Sequence, residues 1–301
     1  AYTVVVTNPG GQVTSEAATL TVVASGAVRV TNLSTRARVG VGDEVLIPGF
    51  VIGGTGNKTL LVRAVGPRLG MVPFNVPGVL ADPTMRLMSG SSLVLANDDW
   101  GQFDDQAALA AASSQSGAFS LGTSTKDGAL VAALSPGLYT VVTSGVDDVE
   151  GVALVELYDM DPRNSPSRLI NISARARVGT GSEVLIPGFV IEGNVALTLL
   201  VRGVGPTIGG APYNVAGVLD DPVITVFRDQ TAIAFNDDWQ QWPNQAALVA
   251  ATTATRAFRL GDGQKDAAVL IALNPGAYTV QVAGKDGATG VALVELYVVG
   301  P

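Results

Sequence analysis

The sequence predicts an all-β protein: two tandem antiparallel β-sandwiches of the jelly-roll kind, preceded by a β-hairpin. Three observations lead there. One long block is written twice, its short segments are rich in strand formers and bounded by turn residues, and its composition suits a packed core. The block "NLSTRARVGVGDEVLIPGFVI" begins at Asn32 and "NISARARVGTGSEVLIPGFVI" at Asn171, an offset of 171 − 32 = 139 residues. The same offset brings "LLVRAVGP" at Leu60 onto "LLVRGVGP" at Leu199, and "NDDW" at Asn97 onto Asn236. It also brings "GVALVELY" at Gly151 onto Gly290, without a gap. Such a period exceeds the roughly 20–50 residues of solenoid repeats, so each copy has the length of a whole domain.

The organisation read from this is a hairpin segment at 1–26, a first sandwich at 27–160 and a second at 167–301. The joining stretch "DMDPRNSPS" is stiffened by Pro162 and Pro166. Within a copy, "EVLIPGFVI", "TLLVRAVG", "ALVAAL", "YTVVTSG" and "VALVELY" read as strands. About eight or nine such runs per copy suit a sandwich. Pro48 and Pro187 cannot donate to a sheet ladder and are expected at a bulge or an edge. "DQAALAAA" and "NQAALVAA" break the pattern. Their Ala-Leu content favours helix, and Asp105 and Asn244 suit the N-cap.

Hydrophobic residues make up 47% of the 301, enough for a sizeable core, whereas charged residues are only 15%. A net charge of −8 argues against nucleic acid, whose phosphates call for Lys and Arg. With neither Cys nor His, the chain has no disulfide, thiolate site, His general base or Ser-His-Asp triad. A bound metal would be a hard cation held by oxygen. No apolar run is long enough to span a bilayer.

The unit "STRARVG…LIPGFVIGG…LLVRAVGP…NDDW…LSPGLYTVVTSG…GVALVELYD" resembles a repeat of large surface proteins of environmental bacteria, especially Verrucomicrobia-like ones. The resemblance covers 28–162 and 167–301 and implies an extracellular or cell-surface location without an established activity. The second half of each copy is similar to the bacterial pre-peptidase C-terminal (PPC) domain, through Asp82-Pro83, Asn97-Asp98-Asp99 and Pro136 to Gly145. That family implies a jelly-roll sandwich, and its collagen-binding relatives imply calcium. In the second copy "DPVITVFRD" fits, but "IAFNDDW" lacks the usual Gly turn. The opening "YTVVVTNPGG" and the following "SEAATLTV" resemble the last two strands of an immunoglobulin-like domain, with Val4 where Cys would stand.

The most site-like motif is NDDW. Asp98 and Asp99, with Asp237 and Asp238, are the candidate calcium ligands; the alternative is a turn closed by Asn and Asp and covered by Trp100 and Trp239. Side-by-side carboxylates do not make the 5–10 Å pair of a glycosidase, and the chain is read as a non-enzyme. Arg63 and Arg202 lie in apolar strands, as do Glu156 and Glu295. Buried charge is costly unless paired, so Arg63 is expected to pair with Glu156 and Arg202 with Glu295. Arg36, Arg38, Arg175 and Arg177 are expected to bind loop carboxylates.

The hairpin carries apolar residues on alternate positions: Tyr2, Val4 and Val6, then Leu20 and Val22. Two strands alone are marginal in water. They would dock on the first repeat, remain from a truncated domain, or add to a neighbouring molecule as assembly strands. The expected function is a structural surface protein that associates with itself into a filament. The alternatives are an adhesion module for a glycan or matrix protein, and an accessory domain of a secreted hydrolase.

Overall fold

A computed structural model describes residues 3–8, 10–16 and 28–300. Ahead of the repeats stand β1 (Val5–Asn8) and β2 (Gly11–Thr14). The first copy contains β3 (Arg29–Val39), β4 (Ile47–Gly54), β5 (Lys58–Val65), α1 (Pro67–Gly70), β6 (Pro83–Ser89) and β7 (Ser92–Asn97). It continues with α2 (Gln106–Ser116), β8 (Gly128–Leu134), β9 (Gly137–Gly145) and β10 (Gly151–Asp159). The second copy repeats that order as β11 (Ser167–Val178), β12 (Ile186–Glu192), β13 (Leu197–Val204), α3 (Pro206–Gly209), β14 (Pro222–Arg228) and β15 (Thr231–Asn236). It ends with α4 (Gln245–Ala254), β16 (Ala267–Leu273), β17 (Gly276–Gly284) and β18 (Gly290–Val298). The chain is all-β, with eight strands in each copy and one helix of more than two turns. That helix starts where its cap residue predicts: Asp105 accepts from the Ala108 N–H at 2.9 Å and Asn244 from Ala247 at 3.1 Å.

Strand pairing crosses the boundary between the copies. β3 pairs with β10 of its own copy on one side and with β12 of the other copy on the other. Reciprocally, β11 pairs with β18 of its own copy and with β4 of the first. Two antiparallel runs of eight strands result. One is β8-β5-β10-β3-β12-β17-β14-β15. The other is β16-β13-β18-β11-β4-β9-β6-β7. They touch where β3 and β11 run parallel, Val30 opposite Leu169 and Arg38 opposite Arg177. The residues between β3 and β4 carry β4 away from β3 instead of folding it back. The ranges 27–160 and 167–301 therefore mark the repeat along the sequence, while each sheet is built from both copies.

The core follows the sheets. Leu33, Phe50 and Ile52 from the first copy share one continuous apolar cluster with Leu169, Phe189 and Ile191 from the second. Each such side chain contributes about 1.5–3 kcal/mol when fully buried. Phe50 stacks on Tyr139 and Phe189 on Tyr278, both with centroids 5.5 Å apart.

Two local expectations are corrected. Pro187 lies inside β12, an interior strand, neither at an edge nor in the bulge, which falls between Val190 and Ile191. It is tolerated because the pairing with β17 is interrupted there, between the Leu185–Val282 bridge and Gly188; Pro48 lies in the same gap, between the Leu46–Thr143 bridge and Gly49. The hairpin is also tighter than the sequence suggested. Its second strand is Gly11–Thr14, with Val6 opposite Val13, because the turn closes at once: the Gly10 N–H donates to Asn8 Oδ1 at 2.8 Å. The "AATLTVVA" run at 17–24 lies outside the described residues.

Candidate functional site

Three features carry the chemistry: paired buried charges in each copy, a buried charged cluster at the junction, and the exposed hairpin. The expected ion pairs form. In the antiparallel register Glu156 is opposite Arg63 and Glu295 opposite Arg202. Arg63 Nη2 lies 3.0 Å from Glu156 Oε2, with Arg63 only 1% exposed. Arg202 donates to Glu295 Oε2 from Nε at 2.9 Å and from Nη2. Each guanidinium also donates to a carbonyl, Phe119 O at 2.7 Å or Phe258 O at 2.5 Å, and lies 4.3 or 4.2 Å from that residue's ring centroid. Tyr158 and Tyr297 donate their hydroxyls to the same carboxylates, at 2.8 and 2.6 Å. Burial pushes the Glu156 carboxyl up, against the pull of Arg63 and Tyr158. Burial also raises both tyrosine hydroxyls, and the adjacent carboxylates raise them further. The arrangement ties the segment after α2 or α4 down onto the sheet.

At NDDW the side chains build a turn. Asn97 Oδ1 accepts from the Ala129 N–H at 2.9 Å while its amide donates to Asp99 O at 3.0 Å; Asn236 does the same with Ala268 and Asp238. Asp99 and Asp238 accept from Gln102 and Gln241, both at 2.7 Å. Lys285 sits 2.8 Å from Asp237, and Lys126 binds Asp82 at 2.9 Å with Asp99 3.8 Å away. The candidate calcium ligands Asp98, Asp99, Asp237 and Asp238 are thus not gathered into a cage. Among the described residues no three acidic side chains are placed to hold a metal ion.

Two buried carboxylates escaped the sequence reading. Asp127, wholly buried, accepts from the Gly66 N–H at 2.7 Å and from Arg68; Asp266 accepts from Gly205 at 2.8 Å and from Thr207. They hold the start of α1 and α3 against β8 and β16. Burial raises both carboxyls despite those bonds. Their 139-residue spacing was the available signal.

The junction cluster is not repeated. Lys58 is 0% exposed and binds Asp159 at 2.8 Å and Asp161 at 3.0 Å. Arg29 donates to Asp161 O at 2.7 Å and Pro162 O at 3.0 Å. Ser165 and Ser167 reach the same Asp161 carboxylate. Burial pushes Asp161 up, but the bonds from Lys58 and Thr59 outweigh it and hold this carboxyl below its usual range. In the second copy the corresponding residues are Leu197, Val298 and Gly300. Cross-copy pairs flank the shared sheets: Arg38 with Glu183 at 2.9 Å and Arg177 with Glu44 at 2.7 Å. Arg38 also takes Glu150 at 2.8 Å, so the expectation of loop carboxylates holds for Arg38 and Arg177.

Among the described residues, the hairpin strands pair only with each other. Val4, Val6 and Val13 lie on one face and are 66, 64 and 73% exposed. Of the assembly residues, Tyr2, Leu20 and Val22 lie outside the described residues. A small cavity also recurs in both copies beside the helix. One of 340 Å³ is lined by Trp100, Leu109 and Ser113, and one of 420 Å³ by Trp239, Leu248 and Thr252. Among the described residues no helix is long and apolar enough to cross a membrane.

No protein-family model and no curated protein matches the chain. Among solved structures, a DUF4785 family protein from Legionella pneumophila is 7% identical, with 89% of this chain and 80% of that one covered at a TM-score of 0.24. PNGF-II is 11% identical at a TM-score of 0.19; the match takes in 89% of this chain and 61% of PNGF-II.

Proposed function

We propose that this chain is a structural, non-enzymatic repeat protein of a bacterial surface, extracellular in location. In this reading it associates with itself into filaments by adding its N-terminal hairpin to a neighbouring copy. The observation that carries the proposal is the uncovered hairpin face of Val4, Val6 and Val13. Two isolated strands are marginal in water, and an apolar face of this kind gains from cover. Exposed edge strands exist to receive it: β7 and β15 end the two sheet runs and leave Leu93 and Phe235 exposed. A contact between different surfaces of two copies propagates unless it closes into a ring. The buried charges support a structural role, because they tie sheet, loop and linker to one another. Negative-stain microscopy of the intact chain and of a form lacking residues 1–26 tests this reading. Fibres from the intact chain alone support it. Identical fibres from both, or an intact chain that stays monomeric at high concentration, refute it.

A second reading, an adhesion module for a glycan or matrix protein, is favoured by the recurring Trp-lined cavity. Quenching of tryptophan fluorescence by an added oligosaccharide, reduced in Trp239→Leu and lost in Trp100→Leu/Trp239→Leu, would support it over the first.

A further inference from the structure

We infer that the strand exchange between the two copies is itself an interface for a second copy of this chain. The first repeat of one molecule can interlock with the second repeat of another, and the Lys58 cluster is the lock that keeps the exchange inside one molecule. The inference does not depend on the hairpin.

The exchanged parts are nearly interchangeable. β3 and β11 carry "NLSTRARV" and "NISARARV", and the strands they receive both carry "LIPGFVI". The flanking pairs, Arg38 with Glu183 and Arg177 with Glu44, are related by the same 139-residue offset. No side chain along the seam distinguishes a partner in the same chain from one in another. The contact has the size of a fold rather than of a surface patch. β12 lies beside β3 from Ile186 opposite Arg36 to Glu192 opposite Arg29, and the core beneath is continuous across both copies.

What selects the partner is the short connection from β10 to β11. A short tether gives the attached repeat an effective concentration in the millimolar range, so exchange within one chain prevails in dilute solution. The tether is also pinned: Lys58 grips Asp159 and Asp161, and Arg29 holds the carbonyls of Asp161 and Pro162. Three of these four pinning residues break the repeat, while Arg29 recurs as Arg168. Lys58, Asp159 and Asp161 correspond to Leu197, Val298 and Gly300, where no such junction is described. Domain swapping needs only that this hinge be released or made too short to close.

Two full-chain variants test the lock. In one, Lys58→Leu, Asp159→Val and Asp161→Gly install residues the fold already accommodates in the second copy. In the other, residues 160–166 are deleted, which would join Asp159 of β10 directly to Ser167 of β11, two strands that pair with β3 and not with each other, so the hinge no longer reaches. Because the chain has no Cys, engineered cysteines report the partner. Asn32 and Val190 face each other across β3 and β12. In the unaltered hinge, Asn32→Cys with Val190→Cys in one chain should give an intrachain disulfide and a monomer on a non-reducing gel. Chains carrying one cysteine each, refolded together at about 100 µM, a tenth of that millimolar tether concentration, should give a covalent dimer in either hinge variant. At least a tenfold lower yield is expected with the native hinge. The dimer should persist when residues 1–26 are removed, which separates this contact from hairpin donation. A folded deletion variant that remains monomeric overturns the inference. So does a folded triple variant that gives no mixed disulfide, or a dimer that vanishes with the hairpin. If the deletion variant does not fold, the triple variant decides alone.

Discussion

Replacing Glu156 by Gln keeps the shape of the side chain and its bond from Tyr158 but removes the negative charge facing Arg63. The guanidinium is 1% exposed, so water cannot replace the carboxylate. Breaking one partner of a buried pair costs about 3–5 kcal/mol. Arg63 keeps the Phe119 carbonyl at 2.7 Å and its ring, which places this variant near the lower end, about 3 kcal/mol. Glu295→Gln should lie near the upper end, about 5 kcal/mol, because one oxygen of Glu295 accepts both Nε and Nη2 of Arg202. The shared sheets decide how heat reports these losses. If the described repeats, 300 − 28 + 1 = 273 residues, unfold as one unit, the unfolding entropy is about 0.57 kcal/mol/K. A mean loss of about 4 kcal/mol then lowers Tm by about 7 °C in a single transition. Were the copies independent, the affected half would shift by about 14 °C and separate from the other. Differential scanning calorimetry distinguishes the two. An unchanged Tm would refute the burial argument, and two separated transitions would refute the shared core. The double variant Arg63→Met/Glu156→Gln should be less destabilised than Glu156→Gln alone, since it strands no charge.

Other outcomes follow from single contacts. Gly205→Ala would set a Cβ 1.9 Å from the Leu219 carbonyl oxygen, and Gly66→Ala one 2.1 Å from that of Leu80. Backbone cannot swing aside, so urea titration should show each variant losing about 3 kcal/mol. The Asp161 carboxyl is depressed in the folded state, so its contribution is complete above its unfolded value, about 3.9, and is lost as pH falls through the folded one. Asp161→Asn should lower Tm at neutral pH and flatten the decline below about pH 4. Asp127 and Asp266 act with the opposite sign. Their raised carboxyls gain stability as pH falls from above the folded value toward the unfolded one, and Asn at either position should remove that gain. Calcium or a chelator should move Tm by less than about 1 °C, because lysines and glutamines already serve the NDDW carboxylates.

Local features were legible because short-range chemistry decides them. The Ala-Leu run after Asp105 had to be a capped helix, and alternation along two apolar strands had to bring Arg63 and Glu156 to one face. The NDDW turn was legible beside the calcium reading, whereas the lysines that reach its carboxylates, Lys126 and Lys285, were not. Asp127 was missed because an Asp after Lys reads as a loop residue until the N–H groups of Gly66 and Arg68 are seen converging on it. Lys58, Asp159 and Asp161 were missed for the opposite reason: comparing the copies drew attention to what they share, and this cluster is where they differ.

The sequence by itself determined the all-β class, the 139-residue repeat and the pairing of buried charges, since each depends on residues adjacent along a strand or opposite one another in register. Only the tertiary structure decided which copy each strand pairs with. "LIPGFVI" fills the same core whether it lies beside β3 or β11, through Phe189 and Ile191 or through Phe50 and Ile52. Between near-identical partners, side-chain chemistry supplies almost no free-energy difference, so the choice falls to the path of the chain between β3 and β4 and to the pinned hinge between β10 and β11.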